Sequence, residues 1–461
     1  MDFFYYNLAI LGSAQELLTY SSPHDFSIGE CVKTPLRSHL KSAIVLSKIE
    51  KPSFKCKKIN SSLKEYFSSQ QLQIAKFISE YYGASIGETL ALMHPYPTLD
   101  SRFIEFKSTA SLALSLSQTK AKEFLASHKY ALLFGDTGSG KTEIYLSLIQ
   151  EVLEKGESSI FLMPEIGLTP QMQTRLERHF GPRVAVWHSK LTKKKKEEIL
   201  SAIHEGVVRI VAGPRSALFL PLYKLGLIVV DEEHDESYKS ASRPRYNARD
   251  VALWMSSKLE IKVVLGSATP SLGTYEKLPK VRLRGTYFKS SRQIVYESGL
   301  HTLSEKIISK LKATLEKGRQ AIVFVPTRAH FKTLTCKDCG AIIECPFCSV
   351  SMSLHRKANA LKCHYCNYAE PIPNACPKCN GATIEASRIG TAEVIDELSK
   401  QLPNARVGQF DKDAVRTERQ LKSLLKAFNK RELDILVGTQ MLSKGHDYHD
   451  IGLSVIIGLD A

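Results

Sequence analysis

The stretch Ala131-Leu-Leu-Phe-Gly-Asp-Thr-Gly-Ser-Gly-Lys-Thr142 decides how the rest of the chain is read. A short apolar run ends in G-x-x-x-x-G-K-T, from Gly135 to Thr142, and Glu143-Ile-Tyr-Leu-Ser-Leu-Ile149 follows with helical spacing. The order is strand, phosphate loop, helix. Glycines in such a loop let backbone N–H groups crowd around phosphate oxygens, and the helix N-terminus adds partial positive charge. Gly135, Asp136, Thr137, Gly138, Ser139, Gly140, Lys141 and Thr142 are therefore the expected ATP-binding residues. Lys141 reaches the β/γ-phosphates in this reading, and Thr142 ligates Mg²⁺.

A second acidic element completes such a site. In Gly226-Leu-Ile-Val-Val-Asp-Glu-Glu-His234 a buried strand ends in carboxylates. Asp231 is expected to hold Mg²⁺, and Glu232 to orient or polarise the attacking water. Lys141, Asp231 and Glu232 are the expected catalytic residues. Gly266-Ser-Ala-Thr-Pro-Ser271 follows another apolar strand, a hydroxyl-rich turn suited to sensing the nucleotide state. Gly438-Thr-Gln-Met-Leu-Ser-Lys-Gly-His-Asp447 follows Asp434-Ile-Leu-Val437 in a second β/α run.

The chain has 461 residues, room for roughly three or four domains. Charged residues make up 24% and hydrophobic ones 43%, an ordinary globular composition. Lys and Arg number 63 against 47 Asp and Glu, a net charge of +16, which with ATP binding points to a polyanionic partner. The run Lys193–Lys196 precedes Glu197 and Glu198 and reads as a solvated helix start. No stretch reaches the ~18 apolar residues of a membrane span. The apolar start Met1–Leu11 lacks a basic n-region and reads as a strand, so a cytoplasmic location is expected.

Ten cysteines give the other strong signal. Cys31 and Cys56 stand alone, whereas Cys336/Cys339, Cys345/Cys348, Cys363/Cys366 and Cys376/Cys379 are four C-x-x-C pairs within 44 residues. Eight thiolates suit two Cys₄ zinc sites, and a reducing compartment argues against disulfides. Pro346, Pro377, Gly340 and Gly381 favour the tight turns of zinc knuckles. His355 and His364 are not needed as ligands, and spacing leaves sequential and crossed pairings both open.

Residues 1–60 alternate in short runs and predict a small β-rich domain. Residues 61–98 read as helical, with apolar residues at Leu72, Ile74, Phe77 and Ile78, and 95–110 as a linker. From about 112 the pattern is β/α, with strands expected at Leu132–Phe134, Ser159–Met163, Arg209–Ala212, Leu227–Val230 and Lys262–Leu265, a doubly wound parallel sheet. A second run starts at Ala321–Val325, is interrupted by the cysteines, and resumes at Arg406–Val407, Ile435–Val437 and Ser454–Ile457.

The ordered set G-D-T-G-S-G-K-T-E, M-P-E-I-G-L-T-P-Q (163–171), G-P-R-S-A-L-F-L-P (213–221), D-E-E-H-D-E-S-Y-K (231–239), P-R-Y-N-A-R-D (244–250), G-S-A-T-P-S and G-T-Q-M-L-S-K-G resembles a superfamily 2 helicase. With the eight cysteines it resembles, more narrowly, the PriA family of bacterial replication-restart helicases, also called primosomal protein N′. The resemblance implies a multidomain α/β chain with two RecA-like parallel-sheet lobes. The expected division is a shortened 3′-end DNA-binding domain at 1–60, a winged-helix domain at 61–98, helicase lobe 1 at 112–290, an incomplete lobe 2 at 291–335 and 386–461, and a zinc-binding insertion at 336–385.

It further implies that Cys336, Cys339, Cys376 and Cys379 share one zinc, and Cys345, Cys348, Cys363 and Cys366 the other. Asp235 to Arg249 matches an aromatic-rich loop that couples DNA binding to hydrolysis, with Tyr238, Arg243, Arg245 and Tyr246 as its DNA-coupling residues. Leu18-Thr-Tyr20 and Gly29-Glu-Cys-Val32 fall where the 3′-end domain has motifs; Tyr81-Tyr82-Gly83 and Ile86-Gly87-Glu88 match the next domain. The implied activity is ATP-dependent 3′→5′ unwinding of stalled or repaired forks in support of primosome assembly and replicative helicase loading. The implied cofactors are ATP, Mg²⁺ and two structural Zn²⁺. The implied partners are forked and single-stranded DNA, replication-restart proteins and single-stranded-DNA-binding protein, for a nucleoid-associated monomer with no membrane contact. In Gly390-Thr-Ala-Glu393, Ala392 replaces the family's usual acid and Glu393 its frequent arginine. The family pattern continues beyond Gly458-Leu-Asp-Ala461 to a glutamine- and arginine-bearing motif that supplies arginine fingers. The alternative reading is therefore a fork-binding scaffold that binds ATP but hydrolyses it poorly.

Overall fold

The computed structural model describes residues 3–97, 112–164, 170–285, 293–297, 303–325, 334–355, 360–363, 365–386, 390–411, 414–415, 417–439, 442 and 451–458. The chain forms two compact units, Met1–Ser291 and Arg292–Ala461.

The first unit begins with β1 (Phe4–Ile10), β2 (Leu18–Ser22), β3 (Glu30–Leu36), β4 (His39–Ile49), β5 (Lys57–Lys58) and β6 (Ser61–Tyr66), in the sheet order β5-β2-β1-β4-β3-β6. Strand alternation sorts its residues between two cores. Leu8, Ile10, Val32, Ala43 and Val45 face one way. Ala9, Cys31 and Ile44 face the other, as the period-2 pleat requires. That second face packs on two helices, α1 (Ser69–Tyr82) and α2 (Ile86–Leu90). Ser68 caps α1 and Ser85 caps α2, each with a reciprocal side chain at the third helical position, Gln71 and Glu88. Gly83 ends α1 with φ +63°. The sequence places a boundary at residue 60, but β6, which follows it, belongs to the same sheet, and Phe67, Ile74, Ala75 and Ile78 share a core with Ala9 and Ile44.

After α3 (Leu116–Ala126) the chain alternates through β7 (Tyr130–Gly135), α4 (Lys141–Glu154), β8 (Ser158–Leu162), α5 (Pro170–Phe180), β9 (Val184–Val186), α6 (Lys193–His204), β10 (Ile210–Gly213), β11 (Leu225–Val230), α7 (Ala248–Leu259), β12 (Lys262–Ser267), α8 (Leu272–Lys277) and β13 (Lys280–Leu283). The sheet order is β13-β7-β12-β11-β8-β10-β9, and every pairing is parallel. Its strands are apolar at consecutive positions because both faces are covered. Leu132, Ile160, Leu162, Ile228 and Val230 join Ile199 and Ile203 of α6 and Val251, Ala252 and Met255 of α7. The intervening Ala131, Leu133, Phe161, Leu227 and Val229 join α3 and α4 through Leu125, Ile144, Leu148 and Ile149. Strands at all five expected positions are present.

In the second unit, α9 (Glu305–Glu316) and β14 (Gln320–Phe324) precede the cysteine-rich segment. β15 (Leu334–Cys336), β16 (Ser353–His355), β17 (Ala360–Lys362), β18 (Ala369–Pro371) and β19 (Ile384–Ala386) belong to that segment, and β15 pairs antiparallel with β19 to close its neck. Then follow α10 (Thr391–Gln401), β20 (Val407–Phe410), α11 (Glu418–Asn429), β21 (Ile435–Gly438) and β22 (Ile451–Ile456), with the parallel order β20-β21-β14-β22. At the start of α10, Glu393 accepts from the Gly390 amide at 3.4 Å, and the buried Thr391 hydroxyl donates to Asp411 at 2.7 Å. No described helix is long and apolar enough to cross a membrane.

Candidate nucleotide site, coupling loop and metal centres

The loop between β7 and α4 is the expected phosphate loop. Gly138 and Gly140 take φ of +78° and +87°, backbone that side chains rarely adopt, and so turn the loop back over the start of α4. Gly140 occupies the N-cap position and supplies no side-chain cap, which leaves the first-turn amides of this 14-residue helix for a ligand. Ser139 Oγ is buried without a hydrogen-bond partner. The Lys141 ammonium donates to the carbonyls of Gly135 (2.7 Å) and Asp136 (3.3 Å). An orphaned hydroxyl, uncapped amides and a lysine held only by carbonyls fit a nucleotide polyphosphate.

Asp231 lies at the tip of β11, near enough for the Lys141 charge to act on it. Its carboxyl is nevertheless pushed up to about 6, because burial and then the neighbouring Glu232 disfavour ionisation more than Lys141 and Tyr145 favour it. Tyr145, on α4, donates to Asp231 Oδ1 at 3.0 Å, and its own phenol is raised by burial and by that carboxylate. Tyr238 donates to the Asp231 carbonyl at 2.5 Å. Glu232 adopts φ +48° beside it. A raised, charge-poised carboxylate opposite a lysine suits a divalent cation, with Thr142 at the start of α4 as the second expected ligand.

Two residues of this tip escaped the sequence reading. Glu233 is buried and accepts from the Ser271 amide (2.6 Å), the Ser271 and Thr274 hydroxyls (3.1 and 2.8 Å) and Arg249 (3.1 Å). It thereby joins β11 to the hydroxyl-rich turn after β12 and to the first turn of α7. Arg249 belongs to the quoted 244–250 motif, but only the fold reveals its partner. His234 reaches the same turn, with Nδ1 2.8 Å from Ser267 Oγ.

The loop from Asp235 to Asn247 follows the acidic tip and ends at α7. Tyr238 and Tyr246 are 1% and 3% exposed, so their rings pack inward and offer no face to a base. Both do structural work here: Tyr238 braces Asp231, and Tyr246 packs edge-on to Phe219 at 5.0 Å. Arg245 is exposed. Arg243 pairs with Glu88 of α2 at 3.6 Å and donates to the Gly83 carbonyl at 3.3 Å. An open cavity beside the loop is lined by Glu233, His234, Lys239, Asn247 and Arg249 among others.

The eight paired cysteines gather in two clusters. The Sγ atoms of Cys336, Cys339, Cys376 and Cys379 lie within 4.8 Å of one another, as do those of Cys345, Cys348, Cys363 and Cys366. This nested grouping, outer pairs together and inner pairs together, is the one the family resemblance implies. Sulfur separations of 3.6 to 3.7 Å match a tetrahedral ion, whose metal–sulfur bonds of about 2.3 Å put the sulfurs about 3.8 Å apart. All four turns repeat one geometry. The residue after each second cysteine is left-handed: Gly340, Ser349, Asn367 and Asn380, with φ between +49° and +72°. Its amide donates to the first cysteine's carbonyl at 2.9 to 3.1 Å. Only Gly340 announced this position; at the last pair the left-handed residue is Asn380 rather than Gly381. Among the motif stretches, 165–169, 440–441 and 443–447 lie outside the described residues, as does His364.

A phosphate loop, an acidic strand tip and a hydroxyl-rich turn on one parallel sheet define a P-loop helicase lobe, and residues 115–278 match the DEAD/DEAH box helicase family. Residues 7–95 match the 3′DNA-binding domain, a span that takes in both the N-terminal sheet and the α1–α2 pair, which the sequence reading set apart as a winged helix. Residues 345–371 match the PriA DNA helicase Cys-rich region. The replication restart protein PriA of Helicobacter pylori (strain ATCC 700392 / 26695) is 44% identical over 99% of this chain and 74% of its own length. That of Rickettsia conorii is 32% identical over 96% and 72%, and that of Bacillus subtilis 41% identical over 77% and 47%. The chain belongs to the PriA family of replication restart helicases.

Proposed function

We propose that this chain is an ATP-dependent 3′→5′ DNA helicase that acts in the cytoplasm, at the nucleoid, on stalled or repaired replication forks. There it supports primosome assembly and loading of the replicative helicase, with restart proteins and single-stranded-DNA-binding protein as partners. The observation that carries this reading is the unbroken connection from phosphate loop to coupling loop. Tyr145 ties α4 to Asp231, Tyr238 ties Asp231 to the 235–247 loop, and Glu233–Arg249 ties the strand tip to α7.

In this site Lys141 and the α4 amides bind and orient the triphosphate, and Glu232 orients the attacking water. Thr142 and Asp231 would hold Mg²⁺, which supplies charge neutralisation across the phosphates. The two cysteine clusters would hold Zn²⁺ as structural sites, since four thiolates leave no position open for a catalytic water. The net charge of +16 supports largely sequence-independent, salt-dependent affinity for DNA.

Strand displacement on partial duplexes tests the polarity. Unwinding of a 3′-tailed substrate in preference to a 5′-tailed one is expected, and the opposite preference contradicts the reading. DNA binding with neither unwinding nor ATP turnover favours the ATP-binding scaffold instead.

A further inference from the structure

The coupling loop is held from outside as well as from the nucleotide site. Its outer side meets the α1–α2 corner of the N-terminal domain. Arg243 Nε lies 3.6 Å from Glu88 Oε1, with the Glu88 side chain 15% exposed and that of Arg243 60%. Arg243 also donates to the Gly83 carbonyl, at the end of α1. Four residues back along the loop, the Lys239 ammonium sits 4.9 Å from the centre of the Tyr82 ring. Beyond the loop, Phe77 of α1 stacks on Trp254 of α7 at 4.6 Å and 11°. The loop is itself a narrow hairpin: Lys239 and Asn247 form an antiparallel bridge, and the Ser240 amide donates to the Tyr246 carbonyl at 2.8 Å. Arg243 stands at its far end. A pull there reaches Asp231 through Tyr238 and Glu233 through Arg249.

The chemistry of the contact is asymmetric. Glu88 is fixed, because its other carboxylate oxygen accepts from the Ser85 amide at 2.9 Å as part of the α2 cap. Arg243 is the exposed partner, and Arg245 is exposed two residues on. A guanidinium on one carboxylate oxygen at 3.6 Å exchanges readily for a phosphate, which it binds bidentately.

We propose that Glu88 and Tyr82 are positioning residues that latch the 235–247 loop to the N-terminal domain, and that a DNA phosphate takes Arg243 from Glu88 when the strand binds. This rests on the DNA-dependent reading above and names what the loop gives up on binding. DNA engaged near the N-terminal domain thereby frees the loop that braces the nucleotide site.

The test is equilibrium binding of forked DNA by the full chain, without nucleotide, over a salt series. Four proteins are compared: wild type, Glu88→Gln, Arg243→Gln and the double variant. Gln at position 88 keeps the helix cap, which accepts Glu or Gln, and removes only the charge. Glu88→Gln is expected to bind about two- to five-fold more tightly, the range an exposed ion pair spans. Arg243→Gln is expected to bind more weakly, with a log–log salt slope shallower by about 0.7 to 0.9, one phosphate contact. In the Arg243→Gln background the gain from Glu88→Gln is expected to vanish. A Glu88→Gln protein that binds the fork like wild type, or a gain that persists without Arg243, overturns the latch while leaving the helicase reading standing. A wild-type chain that does not bind forked DNA overturns both.

Discussion

Asp231→Asn exchanges function for stability, and its pH dependence isolates one carboxyl. In the folded, ligand-free protein Asp231 titrates near about 6, against 3.8 for an unperturbed aspartate, chiefly because burial opposes its charge. A carboxyl raised on folding contributes its full stability below the unfolded value and loses it as pH climbs through the folded one. The penalty on the wild type therefore builds from 3.8 to about 6 and is complete above about pH 6. The interval from 3.8 to about 6 corresponds to about 3 kcal/mol at 1.36 kcal/mol per pH unit. Asp231 keeps partial contact with solvent, which screens the penalty, so a gain of about 1–3 kcal/mol is expected for Asn at pH 8. Asn retains an Oδ1 that accepts from Tyr145, so the substitution removes charge and little else. Thermal unfolding of both proteins in magnesium-free buffer from pH 5 to pH 8 measures the difference. At about 2–4 °C per kcal/mol for a domain of this scale, the variant melts about 2–12 °C higher at pH 8, with about half that gap at pH 5, where the unfolded carboxyl is already ionised. His94, His179 and His204 titrate in both proteins, so they cancel in the comparison. A gap independent of pH, or a wild type more stable than the variant at pH 8, refutes the reasoning.

Glu233→Gln leaves Arg249 without its buried carboxylate partner and turns one of the acceptor positions facing Ser271 and Thr274 into a donor. Arg249 keeps Asp250 at 3.0 Å and partial contact with water, so a loss of about 1–3 kcal/mol is expected in urea unfolding of the first unit; a loss below about 1 kcal/mol means the network is not structural. Cys345→Ser removes one thiolate from the inner cluster. Metal analysis of the purified chain is expected to fall from about two zinc ions to about one, and retention of two shows that the inner four do not act together.

Much of this architecture is written in the sequence because its strands are short, apolar and parallel. Leu227–Val230 must be buried on both faces, and only a covered sheet offers that. The edge strands β9 and β13, three and four residues long, carry too few positions to show a period. Helical spacing puts the N-terminal division at residue 60, but long-range pairing and a shared core join β6 and α1 to the sheet, and spacing carries no record of either. In the candidate site, the acidic tip and phosphate loop are legible because each residue's chemistry is local to a motif. The fate of Tyr238 and Tyr246 is not: an aromatic side chain serves equally as a stacking platform or as core, and tertiary context chose core. Glu233 and Arg249 lie 16 residues apart, and only the fold reveals that they meet. In the cysteine turns, Ser349, Asn367 and Asn380 do what glycine usually does, so a search for glycine finds one turn of four.

ATP hydrolysis by this chain with and without forked DNA, measured beside Lys141→Ala, tests the central claim most directly. The account predicts turnover that rises with forked DNA and is lost in the variant, while the variant still binds the fork. Turnover that survives Lys141→Ala, or a wild-type rate indifferent to DNA, would contradict it.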